Sequence, residues 1–149
     1  MIIREYIDTD KDAVLELLRL NTPAYFSPEE EKDFIGYLAD EIEKYYVVEL
    51  DGTIVACAGF NLSEDKTVAM LSWDMVHPEY QGKGVGFALT KFRIERMKEI
   101  EGVKTISVRT SQFVYPFYEK FGLILREVKK DYWAEGYDMY RLNNDVELV

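Results

Sequence analysis

Three glycines at alternate positions, Gly82, Gly84 and Gly86, stand where a strand-like run, MLSWDMV, hands over to a helical pattern, and Lys83 lies between the first two. The first amides of a helix lack intrahelical partners, and the aligned peptide dipoles add partial positive charge, so such a junction suits an anion. A diphosphate must reach several consecutive amides. Glycine removes the side chains that would block it and permits backbone angles that turn amides toward one point. The residues therefore read as a cradle for a pyrophosphate, with Lys83 adding a point charge; the same spacing also suits a tight turn. Neither the Walker A spacing nor the dinucleotide fingerprint is present, since GKGVGF supplies only Gly-x-Gly-x-Gly.

The elements that must position this junction follow from the hydrophobic pattern. IIREYI reads as a strand. A helix follows in TDKDAVLELLRL, with Thr9 and Asp12 spaced as a capping box and Val14, Leu17 and Leu18 as its apolar stripe. A second helix starts in SPEEEKDFIGYLADEIEKY. Ser27 is its expected cap, Pro28 its first residue, and Glu29, Glu30 and Glu31 meet the positive end of the dipole while facing solvent; Phe34, Leu38 and Ile42 form its buried face. Two β-rich runs flank Asp51-Gly52, a hairpin signal, and a third strand ends at His77 because the residue before Pro78 avoids helical geometry. The helix after the glycines is expected to reach Glu101, with a stripe of Val85, Leu89, Phe92 and Ile100 broken by Arg96. A strand (VKTISV), a short helix with Pro116 in its first turn, and two last strands complete the chain. The order β-α-α-β-β-β-α-β-α-β-β predicts a single α/β (α+β) domain over residues 1–149, a mixed sheet of about six or seven strands flanked by about four helices.

Composition narrows the function classes. Hydrophobic residues make up 48% and charged residues 31%, as in soluble globular domains. No uncharged apolar run approaches the ~18 residues of a membrane span, and Met1 opens directly into strand-like sequence, so the expectation is a cytoplasmic protein without a membrane partner. One cysteine, Cys57, leaves no internal disulfide, and one histidine, His77, leaves no His/Cys metal cluster. Cys57, among small apolar residues, reads as core, and His77 as a polar neighbour of the turn. A net charge of −10 argues against nucleic acid. Residues 83–130 hold eleven Lys/Arg against five Asp/Glu, whereas residues 1–82 hold six against eighteen. An anion handled at one end and a cation at the other fits that division; so does plain solubility.

QGKGVG matches the Gln/Arg-x-x-Gly-x-Gly/Ala signature of the GNAT superfamily of acyl-CoA N-acyltransferases, and VHPEYQGKGVG resembles the strand-to-helix passage that carries it. SVRTSQFVYPFYEKFGL is similar to the family's second pattern, placing Tyr118, Glu119, Lys120 and Gly122 on it, with Ser111 where asparagine is usual and Val114 where alanine is usual. The resemblance covers nearly the whole chain. It implies acetyl-CoA as co-substrate and no metal, with the cofactor lying where two parallel strands splay apart. The pantetheine arm would bond to the main chain at Met75 and Val76. The pyrophosphate would take the amides of Gln81, Gly82, Lys83, Gly84, Val85, Gly86 and Phe87, and Ser111 would contact the cofactor or cap the following helix.

The implied reaction is attack of a neutral amine on the thioester carbonyl, with loss of the CoA thiolate. A lysine-like amine needs about 4.6 kcal/mol to be neutral at pH 7, whereas a thiolate with a conjugate pKa near ~8.5 needs only modest acid help. The resemblance assigns that acid to Tyr118. The family's places for a base fall on Met70 and Ser72, which cannot serve. Asp74 is the only carboxylate in the strand interior and shares their face by strict alternation, which makes it the candidate base, acting through water. The acceptor pocket is expected from the first two helices, their connection NTPAYFSPEE and the hairpin near Phe60. Its acidity implies a cationic small-molecule or peptide amine. A non-catalytic acyl-CoA-binding or sensing module and a longer-chain acyltransferase are the alternatives. Family members often pair, so a homodimer is compatible with the resemblance.

Overall fold

Alternation along the strands builds two cores on one sheet. Tyr45, Val47, Cys57 and Met75 turn to one face, and Tyr46, Val48, Ala56 and Ala58 to the other, in a computed structural model that describes all 149 residues. The elements are β1 (Ile2–Glu5), α1 (Lys11–Leu20), α2 (Glu30–Gly36), β2 (Lys44–Leu50), β3 (Thr53–Leu62), β4 (Val68–Val76), α3 (Val85–Lys98), β5 (Thr105–Thr110), α4 (Tyr115–Glu119), β6 (Ile124–Ala134) and β7 (Tyr137–Asp145). This is the element order expected from the sequence. The seven strands run β1-β2-β3-β4-β5-β7-β6 across the sheet, antiparallel throughout except for the parallel pair β4 and β5.

The first core lies under α1 and α2, where Val14, Leu17, Leu18 and Phe34 meet the odd-numbered residues of β2. The second lies under α3 and α4, where Leu89, Ile94, Met97 and Tyr118 meet Ala69, Leu71, Ile106 and Val108. Each fully buried aliphatic or aromatic side chain contributes about 1.5–3 kcal/mol, so both clusters hold their helices firmly. No helix is long and apolar enough to cross a membrane.

Two features of this framework create an opening. The parallel pairing of β4 and β5 runs only from Val68–Thr105 to Leu71–Val108, after which β4 continues to Val76 paired with β3 but not with β5. The strands diverge there. In the same stretch, β4 carries a bulge against β3, with Trp73 at φ 50°, so that two residues, Trp73 and Asp74, oppose Ala58. The extra residue reverses the parity of the strand. Ser72 and Trp73 both face α1 and α2, and Asp74 faces α3. Strict alternation put Asp74 with Met70 and Ser72; the bulge moves it to the opposite side of the sheet.

Local corrections have similarly physical causes. The Thr9–Asp12 capping box does not form. A single 3-10 turn precedes α1, and Asp10 takes the Ile7 N–H at 2.9 Å while the Arg4 guanidinium grips both its oxygens at 2.8 and 2.9 Å. Helix α2 begins at Glu30 rather than Pro28, and Ser27 does not cap it: Glu30 Oε2 accepts the Ser27 N–H at 2.8 Å, while Ser27 Oγ is buried without a partner. Glu30 is therefore buried (7% exposed) instead of facing solvent. The basic residue on the buried side of α3 is Arg93, not Arg96. Spacing by four aligns Val85, Leu89, Arg93 and Met97 on one ridge, all of them buried. Phe60, expected at the acceptor pocket, packs on the α3 side against Tyr46.

Candidate active site

A cleft of about 1470 Å³ opens between the diverging strands and runs from the glycine loop to the acidic face of α2. At its first end, Gly82 and Gly84 hold φ of 75° and 85°, left-handed angles that L residues rarely adopt, and a Cβ at either would meet nothing within 4 Å. The loop is thus open to solvent, not to packing. Helix α3 begins directly after Gly84, and its first backbone bond is Ala88 N–H to Gly84 O. The amides from Gly82 through Phe87 consequently have no acceptor in the turn, and the helix dipole points its positive end at them. Lys83 sits 5.5 Å from the Tyr80 ring at the rim.

Gly86 has a different purpose from its two neighbours. A Cβ there would lie 3.5 Å from Val76 Cγ2 and 3.7 Å from Phe117 Cζ, ordinary contact distances, so this glycine stands where α3 packs on β4 and α4 and not in the open loop. Gln81 is engaged before any ligand arrives. Its N–H donates to Pro78 O, and its side-chain amide donates to Val76 O and to Asn21 Oδ1. The bond from His77 N–H to Val55 O sets the ladder so that Met75 turns its main-chain groups toward Cys57 on β3, while those of Val76 face the opening. The Val76 carbonyl already accepts from Asn21 Nδ2 and Gln81 Nε2, each at 3.1 Å. Ser111 is buried beside the cleft and accepts the Phe113 N–H at 3.3 Å, which turns the chain toward α4. His77 caps its own turn through Nδ1, as a polar neighbour should.

The middle of the cleft holds the one buried ion pair on the α3 side. Arg93, 0% exposed, places Nη1 2.7 Å from Asp74 Oδ1 and Nη2 2.5 Å from Asp74 Oδ2. Its remaining donors reach Gly59 O, Thr90 Oγ1 and Leu89 O, so the guanidinium is fully satisfied. Tyr118, 3% exposed and on α4, donates its hydroxyl to Asp74 Oδ2 at 2.6 Å. Burial and the adjacent Asp74 charge push Tyr118 well above the ordinary phenol value; Arg93 offsets part of this. For Arg93 itself, burial works against the charge, but Asp74 more than compensates and the guanidinium is held more firmly protonated than usual. Asp74 and Tyr118, assigned from the sequence to separate proton tasks, are thus joined by one hydrogen bond.

At the far end, carboxylates alternate with aromatic rings. Asp33, Asp40, Glu41 and Glu43 line the cleft from α2, the π turn Tyr37–Glu41 that follows it and the short link to β2. Trp73 lies among Phe26, Phe34 and Tyr37, with centroids 6.2, 4.9 and 6.2 Å away. Glu30 enters from the same side, and burial raises its carboxyl above the usual range despite the Ser27 N–H. Asn61 Oδ1 accepts from both Tyr37 and Ser72 across this end. Cys57 also borders the cleft; burial pushes its thiol up to about 12, which leaves it unreactive.

Arg93, Asn21 and Glu30 escaped the sequence reading. The four-residue row Val85, Leu89, Arg93, Met97 was the available sign for the first, and the Ser27-x-x-Glu30 spacing for the third. Asn21 gave none, because its partners Val76 and Gln81 are distant in the chain.

Residues 11–123 match the model of the Acetyltransferase (GNAT) family. The amino-acid acetyltransferase of Pasteurella multocida is 30% identical over 125 residues, which are 80% of this chain and 26% of that protein. The chain therefore spans about a quarter of the length of that curated relative. The fold is shared with the ribosomal-protein-S18-alanine N-acetyltransferase from Escherichia coli (TM-score 0.79, 20% identity, 97% of this chain and 93% of that one). It is also shared with an aminoglycoside 6'-N-acetyltransferase complexed with coenzyme A (TM-score 0.79, 16% identity, 98% and 97%).

Proposed function

The chain belongs to the acetyltransferase (GNAT) family, and we propose that it transfers an acetyl group from acetyl-CoA to a primary amine of a cationic acceptor. The observation that carries this reading is one continuous cleft, with free amides at one end, carboxylates and aromatic rings at the other, and Tyr118 between them. Gly82 and Gly84 leave room for a diphosphate that larger side chains would fill. When bound, acetyl-CoA supplies the activated acyl group. The amides of Gly82 through Phe87 and the Lys83 ammonium hold its diphosphate, and Val76 meets the pantetheine arm through its N–H, its carbonyl being occupied. Ser111 shapes the wall beside it.

Tyr118 is the acid of this reading. Its raised pKa keeps it protonated at working pH, so it donates a hydrogen bond to the departing sulfur rather than surrendering the proton outright. The carboxylates of the α2 end bring the ammonium form of the acceptor to the cleft. Water accepts the proton released when the amine becomes neutral, because both oxygens of Asp74 are committed to Arg93 and Tyr118.

Assay of thiol release from acetyl-CoA with a panel of diamines, polyamines, lysine-type peptides, neutral amines and free amino acids tests this function. Diamines or polyamines should give the highest kcat/KM. A preference for free amino acids over the diamines and polyamines removes the cationic reading and favours the activity named for the Pasteurella relative. Calorimetric binding of acetyl-CoA without thiol release to any amine favours a binding module instead.

A further inference from the structure

Asp74 is poorly placed to be a base. Both its oxygens are held edge-on by a guanidinium that is itself fully buried, and one of them also accepts the Tyr118 hydroxyl. A base must have a lone pair free for the incoming proton and must gain from taking it; protonating Asp74 would strand the Arg93 charge in the core. The carboxylate is nonetheless at the centre of the cleft, brought there by the Trp73 bulge. Its geometry suits a different task.

Resting on the reading of Tyr118 as the donor to the leaving sulfur, we propose that Asp74 and Arg93 form a positioning pair for that hydroxyl. Asp74 Oδ2 fixes the phenol oxygen at the cleft wall and holds its hydrogen until it is needed. Arg93 draws charge from the carboxylate and ties it to Gly59 on β3 and Thr90 on α3, so that Asp74 neither moves nor grips the hydroxyl too strongly. In the reaction the new N–C bond forms, the C–S bond breaks with its electron pair on sulfur, and the Tyr118 O–H turns from Oδ2 toward that sulfur. The amine proton passes to solvent water, the thiolate takes one from the same pool, and Tyr118 returns to Asp74 with its proton retained.

A double-mutant cycle on kcat distinguishes this from a base. In the otherwise unchanged protein, Asp74→Asn should lower kcat roughly 10- to 100-fold with little change in KM for the amine. In the Tyr118→Phe background it should cost less than about 2-fold, because the group it positions is gone. Full additivity of the two losses overturns the proposal and restores Asp74 as an independent participant. Acetyl-seleno-CoA gives a second readout: its selenolate leaves more readily than a thiolate, so the defects of Tyr118→Phe and Asp74→Asn should shrink together. Shrinkage for Tyr118→Phe alone overturns the pairing. If Asp74→Asn unfolds the chain, the neutral pair Asp74→Asn/Arg93→Gln removes the stranded charge and should lose kcat by a similar factor, roughly 10- to 100-fold, but by less than about 2-fold in the Tyr118→Phe background; unchanged kcat, or additive losses, overturns the proposal. Should Tyr118→Phe itself leave acetyl-CoA turnover intact, the functional reading fails first, independently of the pair.

Discussion

The carbonyl of Gly59 accepts a hydrogen bond from Arg93 Nη1 at 2.9 Å, which ties the buried guanidinium to β3 as well as to Asp74 on β4. Gly59 itself has no spare space. A Cβ there would lie 2.1 Å from Lys44 O and 2.5 Å from Tyr45 Cδ1, inside the neighbouring strand β2. Gly59→Ala should therefore force β2 and β3 apart and cost about 3 kcal/mol or more, measured by urea unfolding. A loss below about 1 kcal/mol contradicts the packing described.

Removing the Tyr118 hydroxyl should lower kcat on the order of 100-fold while leaving the KM for acetyl-CoA within about threefold. Steady-state kinetics of Tyr118→Phe over a pH series also checks the direction of its titration. Because burial and Asp74 raise its pKa, the phenol stays protonated as pH rises through its ordinary value. The native enzyme should thus show no alkaline loss of kcat attributable to Tyr118 below about pH 10. A falling limb near pH 8 that disappears in Tyr118→Phe argues against the assignment.

The glycines of the loop should separate by role. Gly84→Ala places an L residue at φ 85°, a strain of roughly 1–2 kcal/mol, and disturbs the amides that start α3. Calorimetry should find acetyl-CoA binding weakened more than about 10-fold, as expected for loss of more than about 1.4 kcal/mol. Gly86→Ala, whose Cβ meets Val76 and Phe117 at ordinary contact distances, should be neutral or stabilising by up to about 1 kcal/mol. Equal effects of the two substitutions on binding would refute the division.

Glu30 provides a test through stability alone. Burial raises its carboxyl, with the charges of Asp33 and Glu29 adding to the effect. The folded chain therefore holds this proton more tightly than the unfolded chain. The stability associated with the protonated group is complete below the unfolded value near ~4.3 and is lost as pH rises through the folded one. Gln keeps the acceptor for the Ser27 N–H without the charge. Glu30→Gln should raise Tm at pH 7, with the gain vanishing toward pH 4; a gain that grows on acidification contradicts a raised carboxyl at this position.

Much of this was legible from local pattern. Element order, the Asp51-Gly52 hairpin, the late start of α4 at Tyr115 and the loop at Gly82 and Gly84 all rest on residues whose preferences act within a few positions. The features that stayed hidden are non-local. Trp73 carries no turn signal, because its left-handed angle is imposed by packing against Phe26, Phe34 and Tyr37. Arg93 looked like one more basic residue in a basic segment, and only its placement opposite Asp74 distinguishes it. Ser27 has the composition of a cap, but the Glu30 carboxylate reaches the backbone first.

The bulge at Trp73 also sets how tolerant this strand is to changes of length. Deleting Trp73 would restore simple alternation and leave Asp74, Met75 and Val76 on their present faces, because the bulge is what absorbs the extra residue. Flattening the bulge at full length would instead bring a thioether to the guanidinium and drive a carboxylate into the aromatic cluster beneath α1 and α2. Shortening by that single position is for that reason gentler on the facing of this strand than losing the bulge at full length. Removing Trp73 and Asp74 together would set Met75 directly after Ser72 and turn the end of the strand over, with less reach toward the glycine loop.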